Sequence, residues 1–460
     1  MGWHNLLLGP HIRHMPSRRL FLAGAASAIL AHPSLARGLV RLNLGDRPWL
    51  EAALRTERWI RRSRQPSGNS IAWPADPLKP ASVSTELYSG TAGIVPFYLE
   101  LHHATGDAGY LREAESGARY LLDTLPNGAG TEPGLYTGLA GSAFVLGLVH
   151  RAGGGTAFRE GADRILTMLI ERAHRAGEGV EWNDLTDVIG GSAGIGLTLL
   201  ETGRRPGTAH AVETAQHAGD RLLELGRPTE GGLTWMMSPT FPRNMPNFSH
   251  GTAGVAYFLA RLHEATGDRR FLDGAIAGAT YLRAIAVSHG DGCVIRHHDG
   301  DGDNLFYLGW CHGPVGTARL FYQLGRLTGG DSWMPWLHRL QRGIPAFGVP
   351  EQRSAGFWNN ISQCCGNAGV AQFYIDLHRS LPDPTALPYA RRVTTDLMAR
   401  ATAVEDGLAW IQAENRTEPD NLVAQTGFMQ GAAGVGTMLL HLDAAERGER
   451  PLVTLPDSPF

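Results

Sequence analysis

The chain has 460 residues, 43% hydrophobic and 18% charged, with no Ser/Gly/Pro linker to divide it. Its 41 basic and 44 acidic side chains give a net charge of −3 without a basic stripe, which argues against nucleic acid as a partner. Length alone suggests about three domains at ~150 residues each, but a repeat shared along the whole chain argues for one body.

At the N-terminus, Ser17-Arg18-Arg19-Leu20-Phe21-Leu22 resembles a twin-arginine export motif. An apolar stretch from Leu20 to Leu30 and a small-residue site at Ser34-Leu35-Ala36 follow in the order a signal peptide requires. Residues 1–36 are therefore expected to be a cleaved signal, with the mature chain starting near Arg37 and the protein exported to the periplasm or beyond. The alternative is a cytoplasmic protein with an amphipathic extension, and Met15 is a second candidate start. No other segment is long enough to span a bilayer.

From Gly90 onward a Gly-x-x-Gly signature recurs seven times, with first glycines at Gly90, Gly138, Gly191, Gly251, Gly313, Gly366 and Gly431. The intervals of 48, 53, 60, 62, 53 and 65 residues suit a helix pair with its loops. Phe97, Leu101, His102 and Ala104-Thr105-Gly106-Asp107 align on Phe258, Leu262, His263 and Ala265-Thr266-Gly267-Asp268, so the units are copies. In Thr-Gly-Asp the glycine is suited to end one helix left-handed while the aspartate caps the next; Gly329-Gly330-Asp331 has the same form.

Outer helices are predicted near 47–63, 108–125, 156–176, 207–226, 270–287, 332–345 and 385–402. Inner helices are predicted near 92–105, 140–152, 193–203, 253–266, 315–328, 368–380 and 433–446. The expected fold is all-α, an α/α toroid of seven hairpins and about fourteen helices over residues 37–448, with 449–460 as a Pro-containing tail. An open solenoid satisfies the same pattern, because closure is not written in the repeat.

Three of the four cysteines share the register of the signatures. Cys311 and Cys364 lie two residues before a first glycine; His250, His312 and Cys365 lie one residue before theirs. Equivalent positions converge at one end of a ring. Three thiolates leave a fourth tetrahedral position open, the catalytic rather than structural pattern for zinc, and helix N-termini aimed at them favour the thiolate. A disulfide or plain buried thiols are the other readings of Cys364-Cys365, and Cys293, outside the register, reads as a small buried hydrophobe. The run His297-His298-Asp299-Gly300-Asp301-Gly302-Asp303-Asn304 alternates carboxylates like a calcium loop, but Trp310 stands at the twelfth position, so it reads as a solvated loop.

Asp187-Val188-Ile189 before Gly191, Ser249-His250-Gly251, Gly309-Trp310-Cys311 with Gly313, and Cys364-Cys365-Gly366 resemble the ordered motifs of lanthionine synthetase C-like cyclases, over roughly Pro48 to Ala445. The resemblance implies an α/α toroid, a zinc ion, and addition of a cysteine thiol to a dehydrated Ser or Thr. By the same resemblance Cys311 and Cys364 are zinc ligands, Cys365 replaces a histidine ligand, as in the Cys-Cys-Gly subgroup, and His250 and Asp187 are active-site residues. His312 stands where a tyrosine often follows Trp-Cys, and Tyr307 about where an arginine is seen.

Three thiolates on Zn²⁺ carry a net charge of −1, so a substrate sulfur should be held less tightly and stay more nucleophilic than beside a neutral histidine ligand. Thiolate attack on the β-carbon of dehydroalanine or dehydrobutyrine leaves an enolate. His250 as imidazolium is the expected acid, Asp187 orients or holds a proton, and His312 is a second candidate acid. The expected partners are a dehydrated peptide or protein and possibly a glutathione-like thiol, made elsewhere because no dehydratase region is present. Two other functions stay open. One is a zinc-bearing peptide-binding protein without turnover; the other is a carbohydrate-active toroid, for which only Asp187 stands out as an axial carboxylate.

Overall fold

The computed structural model describes residues 46–125, 131–202, 209–351, 357–358 and 360–460; the expected signal peptide lies outside them. Asn43–Phe460 form one compact unit.

In chain order the helices are α1 (Pro48–Arg62), α2 (Thr91–Thr105), α3 (Ala108–Asp123), α4 (Leu139–Arg151) and α5 (Thr156–Arg172). Next come α6 (Ser192–Thr202), α7 (Ala209–Leu225), α8 (Thr252–Thr266), α9 (Arg269–Ala284) and α10 (Pro314–Thr328). The last are α11 (Met334–Ala346), α12 (Asn367–Ser380), α13 (Ala386–Ala399) and α14 (Ala432–Glu446). The even-numbered helices are buried almost all round, so they form the inner layer; the odd-numbered ones bury one stripe against them.

The Thr-Gly-Asp reversals form as expected. Gly106 at φ 72° ends α2 and the Asp107 carboxylate accepts from Gly109 N at 2.7 Å; Gly267 at φ 75° and Asp268 do the same between α8 and α9. At the third site only half of the device survives. Gly329 at φ 94° ends α10, but α11 starts from Trp333 without a side-chain cap, so Asp331 is not the capping residue.

The inner helices touch in a closed cycle, α2 on α4, α4 on α6, α6 on α8, α8 on α10, α10 on α12, α12 on α14 and α14 on α2. The seventh pair joins the two ends of the unit, because α14 packs on α1. Seven backbone hydrogen bonds repeat this cycle at the glycine signatures. Tyr88 N donates to Tyr136 O, Tyr136 N to Ile189 O, Val188 N to Ser249 O and Ser249 N to Cys311 O. Cys311 N then donates to Cys364 O, Cys364 N to Met429 O, and Met429 N back to Tyr88 O. A solenoid would leave these donors open at its ends. The architecture is an α/α toroid.

Short strand pairs follow α1, α5, α7, α9 and α13 on the way to the next signature, and these the sequence reading missed. The antiparallel pairs are Gln65–Ser67 with Ser70–Ala72, His174–Ala176 with Gly179–Glu181, Arg227–Thr229 with Gly232–Thr234, Val287–His289 with Gly292–Val294, Thr402–Val404 with Gly407–Ala409, and Ile411–Ala413 with Leu422–Ala424. Phe306–Tyr307 pairs in parallel with Phe357–Trp358. Accordingly α5, α9 and α13 end about three residues before their predicted limits of 176, 287 and 402, where the first strand begins.

Candidate thiol metal centre and active site

The hydrogen-bonded ring fixes which side chains meet. Residues two before each first glycine are its links, with Val188 beside Ile189 as the donor at Gly191, so Cys311 and Cys364 are adjacent members, bonded backbone to backbone. The following positions, His250, His312 and Cys365, stand at the same end of the axis. Glycine is needed here because the chain crosses itself: a Cβ on Gly316 would collide with the Trp310 carbonyl oxygen and with Phe248.

All three thiols are buried. The Cys311 Sγ lies 3.1 Å from Cys365 Sγ, and Cys365 Sγ 3.4 Å from Cys364 Sγ, with the three atoms within 4.8 Å of one another. No disulfide joins them. Tetrahedral zinc, with Zn–S near ~2.3 Å, sets its sulfurs roughly 3.8 Å apart, so a slight opening of this triangle accepts the ion. The set has the soft donors that zinc favours. Burial raises the Cys311 thiol well above its ordinary value. Burial also opposes ionisation of Cys364, yet hydrogen bonds from Cys311, Cys365 and Tyr88 hold it well below that value, so one thiolate is already stabilised by its neighbours. Cys293 is also buried but stands apart from the cluster, its thiol pushed up to about 11 by burial.

Asp187 is buried and divides its two oxygens. One accepts from Gly190 N at 2.9 Å and Gly191 N at 2.8 Å, which caps the loop into α6. The other sits 2.5 Å from His250 Nδ1. The one carboxylate thus caps the loop and orients the histidine. With Nδ1–H directed at the carboxylate, the Nε2 of His250 is the nitrogen available to a reactant.

The His312 ring lies 5.6 Å from that of His250 and 3.9 Å from that of His297, centroid to centroid. Burial first, and then the neighbouring histidines, push its pKa well below the ordinary value, and its Nδ1 has no hydrogen-bond partner among the described residues. These surroundings favour the neutral form of the ring.

Sequence reasoning missed four neighbours. His297, read as part of a solvated loop, is half-buried and packs against His312 and Tyr307; its Nδ1 lies 2.7 Å from His298 Nδ1. Tyr88 bonds Cys364 and accepts from Gln430 Nε2 at 2.9 Å. Arg416, from the turn after Ile411–Ala413, lies close enough to Tyr307 for its charge to act on the phenol. Glu414 is half-buried, and desolvation followed by charge on Cys364 raises its pKa. The first strand of that ribbon ends one residue before Glu414, and the ribbon itself is the element that periodicity could not find.

The description "lanthionine synthetase C-like protein" matches residues 81–453. Among solved structures, nisin cyclase aligns with TM-score 0.60 and 16% identity, over 85% of this chain and 92% of that chain. An inactive variant of an α-1,6-mannanase of Salegentibacter sp. HEL1_6 in complex with α-1,6-mannotetrose aligns with TM-score 0.48 and 13% identity, over 86% and 99%. No curated protein matches by sequence. The nisin cyclase likeness speaks to the toroid, and the family match covers the signatures and all three clustered cysteines: the chain belongs to the lanthionine synthetase C-like family.

Proposed function

We propose that this protein catalyses zinc-dependent addition of a cysteine or small-molecule thiol to a dehydroalanine or dehydrobutyrine residue, forming a thioether. The observation that carries this reading is the buried Cys311/Cys364/Cys365 triangle in the same loop ring as the Asp187–His250 pair. Cys311, Cys364 and Cys365 would hold the ion, and when bound it lowers the pKa of a substrate thiol into the neutral range. The reaction adds S–H across a double bond. Sulfur bonds the β-carbon, the π pair moves toward the carbonyl oxygen, and a proton arrives at the α-carbon; no oxidant or reductant is consumed.

His250 is the proton donor of this reading, its ring fixed by Asp187 so that Nε2 carries the proton delivered to the α-carbon. Arg416 supplies a positive charge to the wall formed by Tyr307, where an enolate oxygen would be stabilised. His312 lies beside His250 and His297 beside His312, and desolvation lowers the pKa of both.

Dehydrated peptide or protein is the acceptor, with a cysteine of the same peptide or a glutathione-like thiol as the donor. Export through the twin-arginine route, from the Ser17–Leu22 motif, would carry the folded, metal-loaded protein. The direct test mixes purified protein, a dehydroalanine peptide and either an internal cysteine or glutathione, and follows free thiol and adduct mass. Metal-dependent adduct formation is expected. If no thiol and acceptor pair reacts faster than buffer, while the protein still binds the peptide, the chain is a binding module.

A further inference from the structure

After α14 the chain turns back into the ring. Val453 N donates to the buried Glu100 carboxylate at 2.6 Å, and the Phe460 ring rests 4.6 Å from that of Tyr322. Between them Asp457 is fully buried on the axis, where its Oδ2 accepts from Trp310 Nε1 at 2.8 Å and Arg319 Nη1 at 2.6 Å. Its Oδ1 accepts from Tyr136 Oη at 3.1 Å, and its carbonyl oxygen accepts a second bond from Arg319 at 3.0 Å. The segment leaves a cavity of about 50 Å³ beside it, room for no more than a few waters. Three donors, Trp310 and Arg319 from the Gly313 unit and Tyr136 from the Gly138 unit, thus converge on one carboxylate.

One of those donors is the residue immediately before Cys311. The Trp310 ring packs between those of Tyr136, tilted at 5.0 Å, and Phe248, edge-on at 5.8 Å, and its carbonyl abuts Gly316. Its indole N–H has a single acceptor, Asp457. Rotation of that indole would move the Cys311 backbone, and Cys311 N is bonded to Cys364 O. The buried carboxylate is therefore two steps from Cys311 and three from Cys364.

We propose that Asp457 is a positioning residue for the thiol cluster, and that the segment 447–460 is an internal prop which sets the metal-site geometry from inside the ring. The zinc part of this proposal rests on the function proposed above. The prop itself does not. Occupancy of the axis and closure of the thiol triangle are coupled, so metal binding must also strengthen docking of the segment.

The test compares the full chain with Asp457→Ala, Asp457→Asn and Trp310→Phe. In metal-free protein, alkylation of each cysteine by iodoacetamide is timed by peptide mass spectrometry, with Cys293 as an internal control outside the cluster. Asp457→Ala should speed Cys311 alkylation about 10-fold or more while Cys293 keeps its wild-type rate, and Asp457→Asn should fall between. In chelator competition, zinc affinity should drop roughly 10–100-fold, the range for loss of a partner behind a ligand. Trp310→Phe, which deletes the one N–H, should reproduce the Cys311 effect even if the Asp457 variants fail to fold. Wild-type Cys311 rates in the folded variants, or equal acceleration of Cys293, would overturn the prop. A wild-type chain that binds no zinc would sink the metal reading and leave the alkylation comparison to decide this one.

Discussion

At the scale of single residues, the site depends on register more than on sequence distance. His250 and Asp187 lie 63 residues apart, yet a 2.5 Å contact joins them because each belongs to the loop that starts an inner helix. His250→Ala should slow thioether formation about 10²–10⁴-fold, the usual worth of a positioned acid, and leave metal content unchanged because His250 is not a ligand of the triangle. Rate by adduct mass and metal by elemental analysis, on the same preparation, check both halves. Equal rates would remove His250 as the acid. The cysteines, His250 and Asp187 were legible in the sequence because they sit on the glycine signatures. His297, Arg416 and Asp457 were not: they carry no motif, and their roles arise from chain reversals that one-dimensional patterns do not encode, whereas Tyr88 shares the register of Cys311 but is not a residue type that signals a metal ligand.

At the scale of elements, all fourteen helices were readable from the repeat, and the ribbons were not. Strands of three residues are too short for alternation to register against a helical neighbour. A signal was nevertheless present. Gly68-Asn69, Gly177-Glu178 and Gly290-Asp291 each place a glycine at positive φ in a two-residue turn, the hairpin chemistry that should have ended α5 and α9 earlier. Trp182, Trp235 and Trp410 then donate to the carbonyls of Leu169, Leu222 and Leu397, always thirteen residues back, tying ribbon to outer helix. The inner helices have a different weak point. Gly316→Ala would force a methyl onto the Trp310 carbonyl, next to the Cys311 loop, and should cost about 1–3 kcal/mol or more. Denaturant unfolding of that variant, with Gly147→Ala as the roomy control whose nearest neighbour atom lies at 3.6 Å, measures it. Equal stability of the two would contradict the crowding account.

At the scale of the whole molecule, closure is what the repeat could not announce. The hydrogen-bonded ring and the α14–α1 contact supply it, and a buried pair locks the same seam: His441 Nε2 on α14 lies 2.9 Å from Glu100 Oε1 on α2. Burial disfavours the Glu100 carboxylate, but His441 and the Val453 and Leu452 amides outweigh it, and its pKa falls below the ordinary 4.5. A depressed carboxylate stabilises the fold fully above pH 4.5 and loses that contribution as pH falls through its folded value. Melting temperature should therefore drop below pH 4.5, and Glu100→Gln should be less stable at neutral pH but show a shallower acid slope. Parallel slopes for the two proteins would remove Glu100 from the seam.

The ring has a chemical purpose only if it gathers the three thiols around an ion. Zinc-edge X-ray absorption on natively purified protein, with metal content from the same sample, tests this most directly. The account predicts one zinc per chain bound by three sulfurs and one lighter ligand. Protein free of zinc, or a Cys364–Cys365 disulfide in fresh native material, would contradict it.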